Sequence, residues 1–91
     1  GPPLAPSSDD GRPVTVAVRT IRHRGEAWVA GLALRPIDPL WVGHVRFHIS
    51  GNPDFVQTGD IIRERTPEEV RHRFADFDER TLEALLRSVL P

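Results

Sequence analysis

The stretch VTVAVRTIRHRGEAWVAGLAL, residues 14–34, decides the fold because apolar side chains alternate along it on both sides of a short polar break. Period-two alternation is typical of β-strands that bury one face. The break, His23-Arg24-Gly25, ends in glycine, the residue that best tolerates the positive φ of a tight turn. We therefore predict a β-hairpin with a three-residue loop. Its register would pair Val14 with Leu34, Val16 with Leu32, and Val18 with Ala30.

A third strand is predicted at residues 40–49, where apolar side chains alternate again. Pro36 and Pro39 precede it, and because proline has no backbone N–H to donate, we expect a loop between the second and third strands. Folding the third strand back would place Trp28 opposite Phe47 and continue one apolar face across the sheet.

Capping residues and apolar spacing predict two helices at the end of the chain. Thr66 fits the N-cap of the first helix, Pro67 its first position and Glu69 its third, which together form a capping box. This helix is predicted to run from Pro67 to Ala75. Asp78 can cap a second helix. The apolar residues of the second helix recur at helical spacing and are Leu82, Leu85, Leu86, Val89 and Leu90.

The predicted order of elements is ββββαα. A turn signal at residues 50–54 precedes a fourth strand, predicted from 55 to 63, whose facing is ambiguous. The fold class is therefore α+β, a four-stranded antiparallel meander followed by two C-terminal helices packed on one sheet face. Residues 1–12, rich in Pro, Ser, Asp and Gly, are predicted to be a flexible linker with a cloning scar at Gly1-Pro2, and residues 13–91 a single domain.

Composition narrows the functional classes. The 91 residues suffice for one domain, and the absence of cysteine excludes disulfides, thiolate zinc sites and a cysteine nucleophile. All 12 basic residues are Arg, a bias that indicates a GC-rich bacterial genome. The linker-like start and the terminal helix favour the C-terminal domain of a larger bacterial protein, with a small free-standing protein as the alternative. We expect a cytoplasmic location and no membrane partner, because no apolar run approaches the roughly 18 residues of a membrane span.

The sheet face opposite the predicted helices carries an unusual set of side chains for a solvated surface. Its middle strand contributes Val29, Gly31 and Ala33, none of which is charged, whereas the solvent-exposed face of a strand normally carries polar side chains. Small apolar residues with Arg or His at the edge are typical of protein interfaces. The predicted partner-binding residues are Arg19, Val29, Ala33, Val42, His44, Arg46 and His48. The alternative is that the sheet twists, and that the loop at residues 36–39 and the N-terminal segment cover this face.

Metal binding and catalysis find little support in the sequence. His44 and His48 share a strand face but lie roughly 13 Å apart along an extended chain, too far for one ion. Pairing His48 with Asp54 or Asp60 carries little weight, because chance supplies such pairs in most small domains. The chain has no nucleophile elbow and no glycine-rich phosphate loop. We therefore predict no enzyme activity, no metal, no cofactor and no small-molecule substrate.

Two functional classes remain. The first is a non-catalytic protein-interaction or oligomerisation domain that binds through the sheet face opposite the helices, or through the adjacent edge strand. The alternative is a weak nucleic-acid-binding module that uses the same Arg and His positions. The formal net charge of −1 and the core-facing parity of both tryptophans disfavour it, since such modules are usually basic and stack bases on exposed aromatic rings.

Overall fold

An antiparallel sheet with two helices on one face makes up residues 14–91, the part of the chain that the computed structural model describes. The strands are β1 (Val14–His23), β2 (Glu26–Ile37), β3 (Leu40–Ile49), β4 (Phe55–Gln57) and β5 (Ile62–Glu64), and the helices are α1 (Pro67–Asp76) and α2 (Glu79–Val89). The sheet order is β1-β2-β3-β4, and β5 also pairs with β3. This confirms the predicted α+β class. The linker predicted at residues 1–12 lies outside the described residues.

The core lies between the helices and one face of the sheet. Val70 and Phe74 of α1 and Leu82 and Leu86 of α2 are buried, as their spacing predicts. Their partners in the same apolar cluster come from the three long strands and include Ile21, Ala30, Leu32, Val45 and Phe47. Burial of this cluster is the main source of stability, because the chain has no disulfide to add to it.

The first hairpin turns in two residues, and the predicted three-residue loop is wrong. His23 pairs with Glu26, so that Arg24 (φ 52°) and Gly25 (φ 78°) form the whole turn. Positive φ at both central residues suits the twist of the flanking strands. The shorter turn shifts the pairing by one residue, so that Val18 lies opposite Gly31 and not Ala30. A one-residue shift moves every side chain of the strand to the other face.

A bulge in β1 restores the predicted register near its start. Thr15 pairs with Ala33 but Ala17 pairs with Leu32, which leaves Val16 as the extra residue. Val14 therefore lies opposite Leu34, as predicted. Between the bulge and the turn, the inward residues of β1 are Ala17, Arg19, Ile21 and His23, and the outward residues are Val18, Thr20 and Arg22.

The second hairpin is also tighter than predicted. β2 continues through Pro36 to Ile37, and only Asp38 and Pro39 make the turn. The register moves by two residues, which preserves the face of every side chain. Trp28 therefore pairs with Ile49, and the predicted pairing of Trp28 with Phe47 is wrong.

The predicted fourth strand is divided by an outward loop at residues 58–61. Gln57 pairs with Arg46 and Ile62 with Gly43, so four residues on this edge span two on β3. The Thr58 hydroxyl, in place of a backbone carbonyl, accepts a hydrogen bond from the Val45 amide at 3.0 Å. The loop adds two residues and so keeps the parity of the strand, with Val56 and Ile62 on the core side. The pattern is ambiguous because Phe55 and Ile61 are apolar but exposed.

Both helices begin at the predicted caps. The Thr66 hydroxyl accepts a hydrogen bond from the Glu69 amide at 3.1 Å, and the Asp78 carboxylate accepts one from the Thr81 amide at 2.7 Å. The Thr81 interaction holds the pKa of Asp78 below its ordinary value, because it stabilises the charged carboxylate. These caps fix where each helix enters the core.

The helices leave one side of the sheet uncovered, and we call it the open face. It is defined by the outward side chains of the three long strands, which include Thr15, Val18, Thr20 and Arg22 of β1, Val29, Gly31, Ala33 and Arg35 of β2, and Val42, His44, Arg46 and His48 of β3.

Two glycines on opposite faces give a matched test of where the core lies. A Cβ at Gly43 would lie 2.8 Å from Val70 Cγ1 and 2.9 Å from Leu32 Cδ1, closer than van der Waals contact allows. A Cβ at Gly31 would lie 3.4 Å from Thr15 Cγ2, with more room around it. We expect Gly43→Ala to lower the free energy of unfolding by about 1 to 3 kcal/mol through overpacking. Gly31→Ala should leave the free energy of unfolding unchanged or raise it. Urea titrations that show the same decrease of this free energy in both variants would contradict this placement of the core.

Candidate interaction surface

Six of the seven predicted partner-binding residues share the open face, and Arg19 does not. Arg19 pairs with Ala30, whose side chain faces the helices. Its guanidinium donates hydrogen bonds to the carbonyls of Phe74, at 3.1 Å, and Phe77, and lies 5.9 Å from the centre of the Phe74 ring. A cation suits these carbonyls because the C-terminal end of a helix carries partial negative charge. Arg19 therefore ties β1 to the end of α1, and its predicted place on the open face is wrong.

The centre of the open face is not free surface. Ala33 is 1% exposed and Val42 is 3% exposed in the single chain. Val42 lies between Arg35 on β2 and Arg63 on β5, and long side chains on both neighbouring strands can shield a shorter one. The prediction that Ala33 and Val42 are the exposed centre of an interface is therefore wrong for the isolated chain.

An apolar groove lies nearer β1. Its volume is about 180 Å³, and it is lined by Thr15, Val18, Val29, Gly31, Arg46, His48, Pro53 and Phe55. Val18, 64% exposed, and Phe55, 51% exposed, leave large apolar areas in water beside it. Glycine at position 31 keeps the floor of the groove low. This groove contains the predicted residues Val29, Arg46 and His48.

The side chain of Arg46 is held in place at the groove. Its guanidinium lies 4.7 Å from the centre of the Phe55 ring, within the range of a cation–π interaction. Its Nε donates a hydrogen bond to Gln57 Oε1 at 3.1 Å. A cation fixed against an aromatic ring loses little conformational entropy when a ligand binds. The groove is therefore an apolar site with a pre-arranged positive rim.

A separate polar pocket lies beneath the loop at residues 58–61. Its volume is about 290 Å³, and it is lined by Arg35, His44, Gln57, Thr58, Gly59 and Asp60. Arg35 Nη2 lies 2.5 Å from Asp60 Oδ2, and His44 Nδ1 lies 3.7 Å from Asp60 Oδ1. His48 was the histidine considered for a pair with Asp60, but it is His44 that lies beside Asp60. Arg35 was missed, although the break in alternation at residues 58–60 marks the loop that forms this pocket.

His44 is desolvated and favours its neutral form. Burial lowers its pKa below the ordinary value of 6.5, since the imidazolium would lose its hydration. The positive charges of Arg46 and Arg35 lower this pKa further, while Asp60 and the Gln57 side chain act in the opposite direction. Nε2 of His44 is buried and has no hydrogen-bond partner among residues 14–91. Desolvation in the pocket therefore favours the neutral imidazole, and one ring nitrogen of His44 has no partner within residues 14–91.

The remaining groups of this pocket are engaged with one another. The Thr58 hydroxyl donates to the Gly59 carbonyl at 2.7 Å while it accepts from the Val45 amide. Asp60 is held by the Arg35 ion pair. Within the described residues, no group of three or more His, Cys, Asp or Glu side chains is placed to hold a metal ion. These contacts favour a structural role for the pocket.

Strand β1 forms one edge of the sheet. His23 and Glu26 flank a two-residue turn, and such a pair exchanges both of its backbone hydrogen bonds. Hydrogen-bonded pairs alternate with non-bonded pairs along β1 and β2. The N–H and C=O groups of Val18, Thr20 and Arg22 therefore point away from β2. The opposite edge of the sheet is interrupted by the loop at residues 58–61. Among the described residues, β1 is thus the long edge that can accept another strand.

Helix α2 packs against the core-facing side of β1. His23 Nδ1 and Glu83 Oε2 lie 2.9 Å apart, and this hydrogen bond lowers the pKa of the Glu83 carboxyl. The side chains that β1 presents to the surface are therefore those on the open face, next to the groove.

Comparison with family models, curated proteins and solved structures found no match. Within residues 14–91, no helix is long and apolar enough to cross a membrane.

The pKa of His44 predicts acid-sensitive stability. Because this pKa is below 6.5 in the folded chain, the His44 side chain binds more protons in the unfolded chain as the pH falls through 6.5, and its contribution to the free energy of unfolding decreases. We expect His44→Phe, which cannot be protonated, to lose less stability than the parent between pH 7.5 and 5.5. Urea titrations across this range measure the difference.

His72 provides the control because its side chain is 78% exposed on α1. The loss of stability between pH 7.5 and 5.5 should be reduced more by His44→Phe than by the exposed His72→Phe. An equal loss in His44→Phe and the parent would contradict the description of His44.

Proposed function

We propose that residues 14–91 form a non-catalytic protein-interaction domain that binds its partner through the apolar groove and the neighbouring edge of β1. The observation that carries the proposal is the exposure of Val18 and Phe55, at 64% and 51%, beside a groove on the face that the helices leave uncovered. Large apolar side chains grouped on one surface mark interaction sites more often than scattered ones do. A second copy of the chain and a different protein are both possible partners under this proposal.

The chemistry of the groove supports a protein partner. Val18, Val29 and Phe55 supply apolar area, while Arg46 and His48 supply a polar edge. An apolar centre with a polar rim and an anchored arginine is the usual anatomy of a protein interface. The polar pocket around His44 gives weaker support to catalysis, because its ion pair and hydroxyl are engaged within the fold.

A nucleic-acid partner is the second candidate, and one observation favours it. Phe55 is an exposed aromatic ring with Arg46 stacked on it and His48 paired directly opposite. A base could stack on such a ring while the guanidinium met a phosphate. Phe55 supplies the exposed aromatic side chain that the sequence analysis did not find.

Replacing Val18 by glutamate tests the proposed function. Val18→Glu adds a charge that water solvates in the free domain but that a bound partner must desolvate. We expect an unchanged thermal midpoint and loss of association, measured by light scattering for a second copy and by cross-linking capture from a lysate of the source organism for another protein. Ile37→Glu is the matched control, because Ile37 is 44% exposed at the far end of β2.

The salt dependence of binding distinguishes a protein partner from a nucleic-acid partner. A protein held by apolar contacts should stay bound between about 50 and 200 mM salt, whereas a nucleic acid held by phosphate contacts should weaken steeply. Association that Val18→Glu leaves at the parent level would contradict the proposed site. A parent that captures nothing and remains a monomer would contradict the interaction function itself.

A further inference from the structure

The edge of β1 presents backbone groups in a regular row. Val18, Thr20 and Arg22 are exposed, and the turn geometry directs their N–H and C=O groups away from β2. From this arrangement we infer that β1 binds an extended, acidic segment of a partner protein, which adds a further strand to the sheet. This inference rests on the proposed function and names the partner's conformation and charge.

The regular part of the edge is long enough for such a strand. The bulge at Val16 interrupts the start of β1, but residues 17–23 pair with β2 without irregularity. A strand laid along this part would exchange both backbone hydrogen bonds with each of three residues. Native edges are usually blunted by proline, bulges or inward charges. Residues 17–23 contain no proline and no bulge, and their inward arginine, Arg19, is bound to the end of α1. The edge therefore offers a template for pairing.

The arginines on and beside β1 favour acidic residues in the added strand. Arg19 is held by the carbonyls at the end of α1, and Arg35 is paired with Asp60. Arg22 on β1 and Arg46 beside the groove supply the positive charge that an added segment would meet, and β1 contains no acidic residue. An acidic segment would meet this positive surface favourably. A second copy paired through β1 would offer Arg22 no acidic side chain, because β1 contains none.

The side chains of the edge specify a pattern for the bound segment. An acidic residue fits opposite Arg22 and an apolar or β-branched residue fits opposite Val18. Because Arg22 and Val18 are four positions apart in one strand, these two residues of the segment should also be four positions apart. The residue midway between them would lie opposite Thr20, and all three side chains would point to the open face beside the groove.

Proline at position 20 tests the pairing directly. The N–H of Thr20 points to the free edge, so Thr20→Pro removes a donor that β2 does not use, and its ring occupies the path of an added strand. Thr20→Val keeps the N–H and the branched side chain and is the matched control. Thermal melts of both variants should show that the sheet is intact.

The probe is a phage-displayed library of random twelve-residue peptides, selected on residues 1–91 and then synthesised for fluorescence-anisotropy titrations. We expect selected peptides to carry an acidic and an apolar residue four positions apart. Thr20→Pro should weaken their binding about tenfold or more, while Thr20→Val should change it less than about twofold.

The other outcomes contradict the inference in distinguishable ways. Peptides that bind Thr20→Pro as well as the parent, but fail on Val18→Glu, would retain the groove as an interaction site and overturn strand addition. A dimer of the parent that Thr20→Pro dissociates would assign the edge to a second copy. Tight binding of an oligo(dT) probe that displaces the peptides would assign the face to nucleic acid, and a library without any binder would overturn the acidic segment.

Discussion

The left-handed backbone of Arg24 and Gly25 is the constraint on which the surface of this domain depends. Two residues at positive φ close the first hairpin without a third. The register that follows directs Ile21 into the core and Arg19 to the end of α1, and leaves Val18 in water. A loop one residue longer would exchange these roles, because a slip of one residue in a strand exchanges its faces. The turn thus determines which side chains of β1 pack in the domain and which stay exposed at its surface.

The bulge at Val16 and the loop at residues 58–61 then shape the open face. The bulge at Val16 returns Val14 to the register that pairs it with Leu34, while residues 17–23 stay regular and edge-exposed. The loop at residues 58–61 interrupts the opposite edge and forms the polar pocket around His44. Among the described residues, positions 17–23 of β1 are then the longest regular edge of the sheet. The apolar groove lies between these two regions, so the surface changes from apolar and accessible near β1 to polar and enclosed near β5.

Element identity could be predicted from the sequence because each element is signalled locally. The caps at Thr66 and Asp78 and the apolar spacing of α2 depend only on nearby residues, and the structure confirms them. The register of β1 was missed because arginine seldom adopts positive φ, so Gly25 alone was taken as the left-handed residue. The wrong placement of Arg19 follows from that one residue.

The burial of side chains on the open face could not be predicted from the sequence, because it depends on residues that are distant along the chain. Alternation shows which face a side chain occupies, but it does not show that Arg35 and Arg63 flank Val42 on both sides. For the same reason the sequence did not bring Asp60 to His44, since the two residues meet through an irregular loop. Phe55 was left without an assigned face because Phe55 and Ile61 are exposed apolar residues that alternate with the core-facing Val56 and Ile62.

Amide hydrogen exchange along β1 tests the central claim most directly. With a two-residue turn, the amides of Arg19, Ile21 and His23 bond to β2 and should exchange slowly, while those of Val18, Thr20 and Arg22 face the free edge and should exchange rapidly. The alternation should be measured residue by residue in the isolated domain by NMR. Slow exchange at Val18, Thr20 and Arg22 with rapid exchange at the other three would contradict the register, and with it the assignment of the groove and the edge to binding.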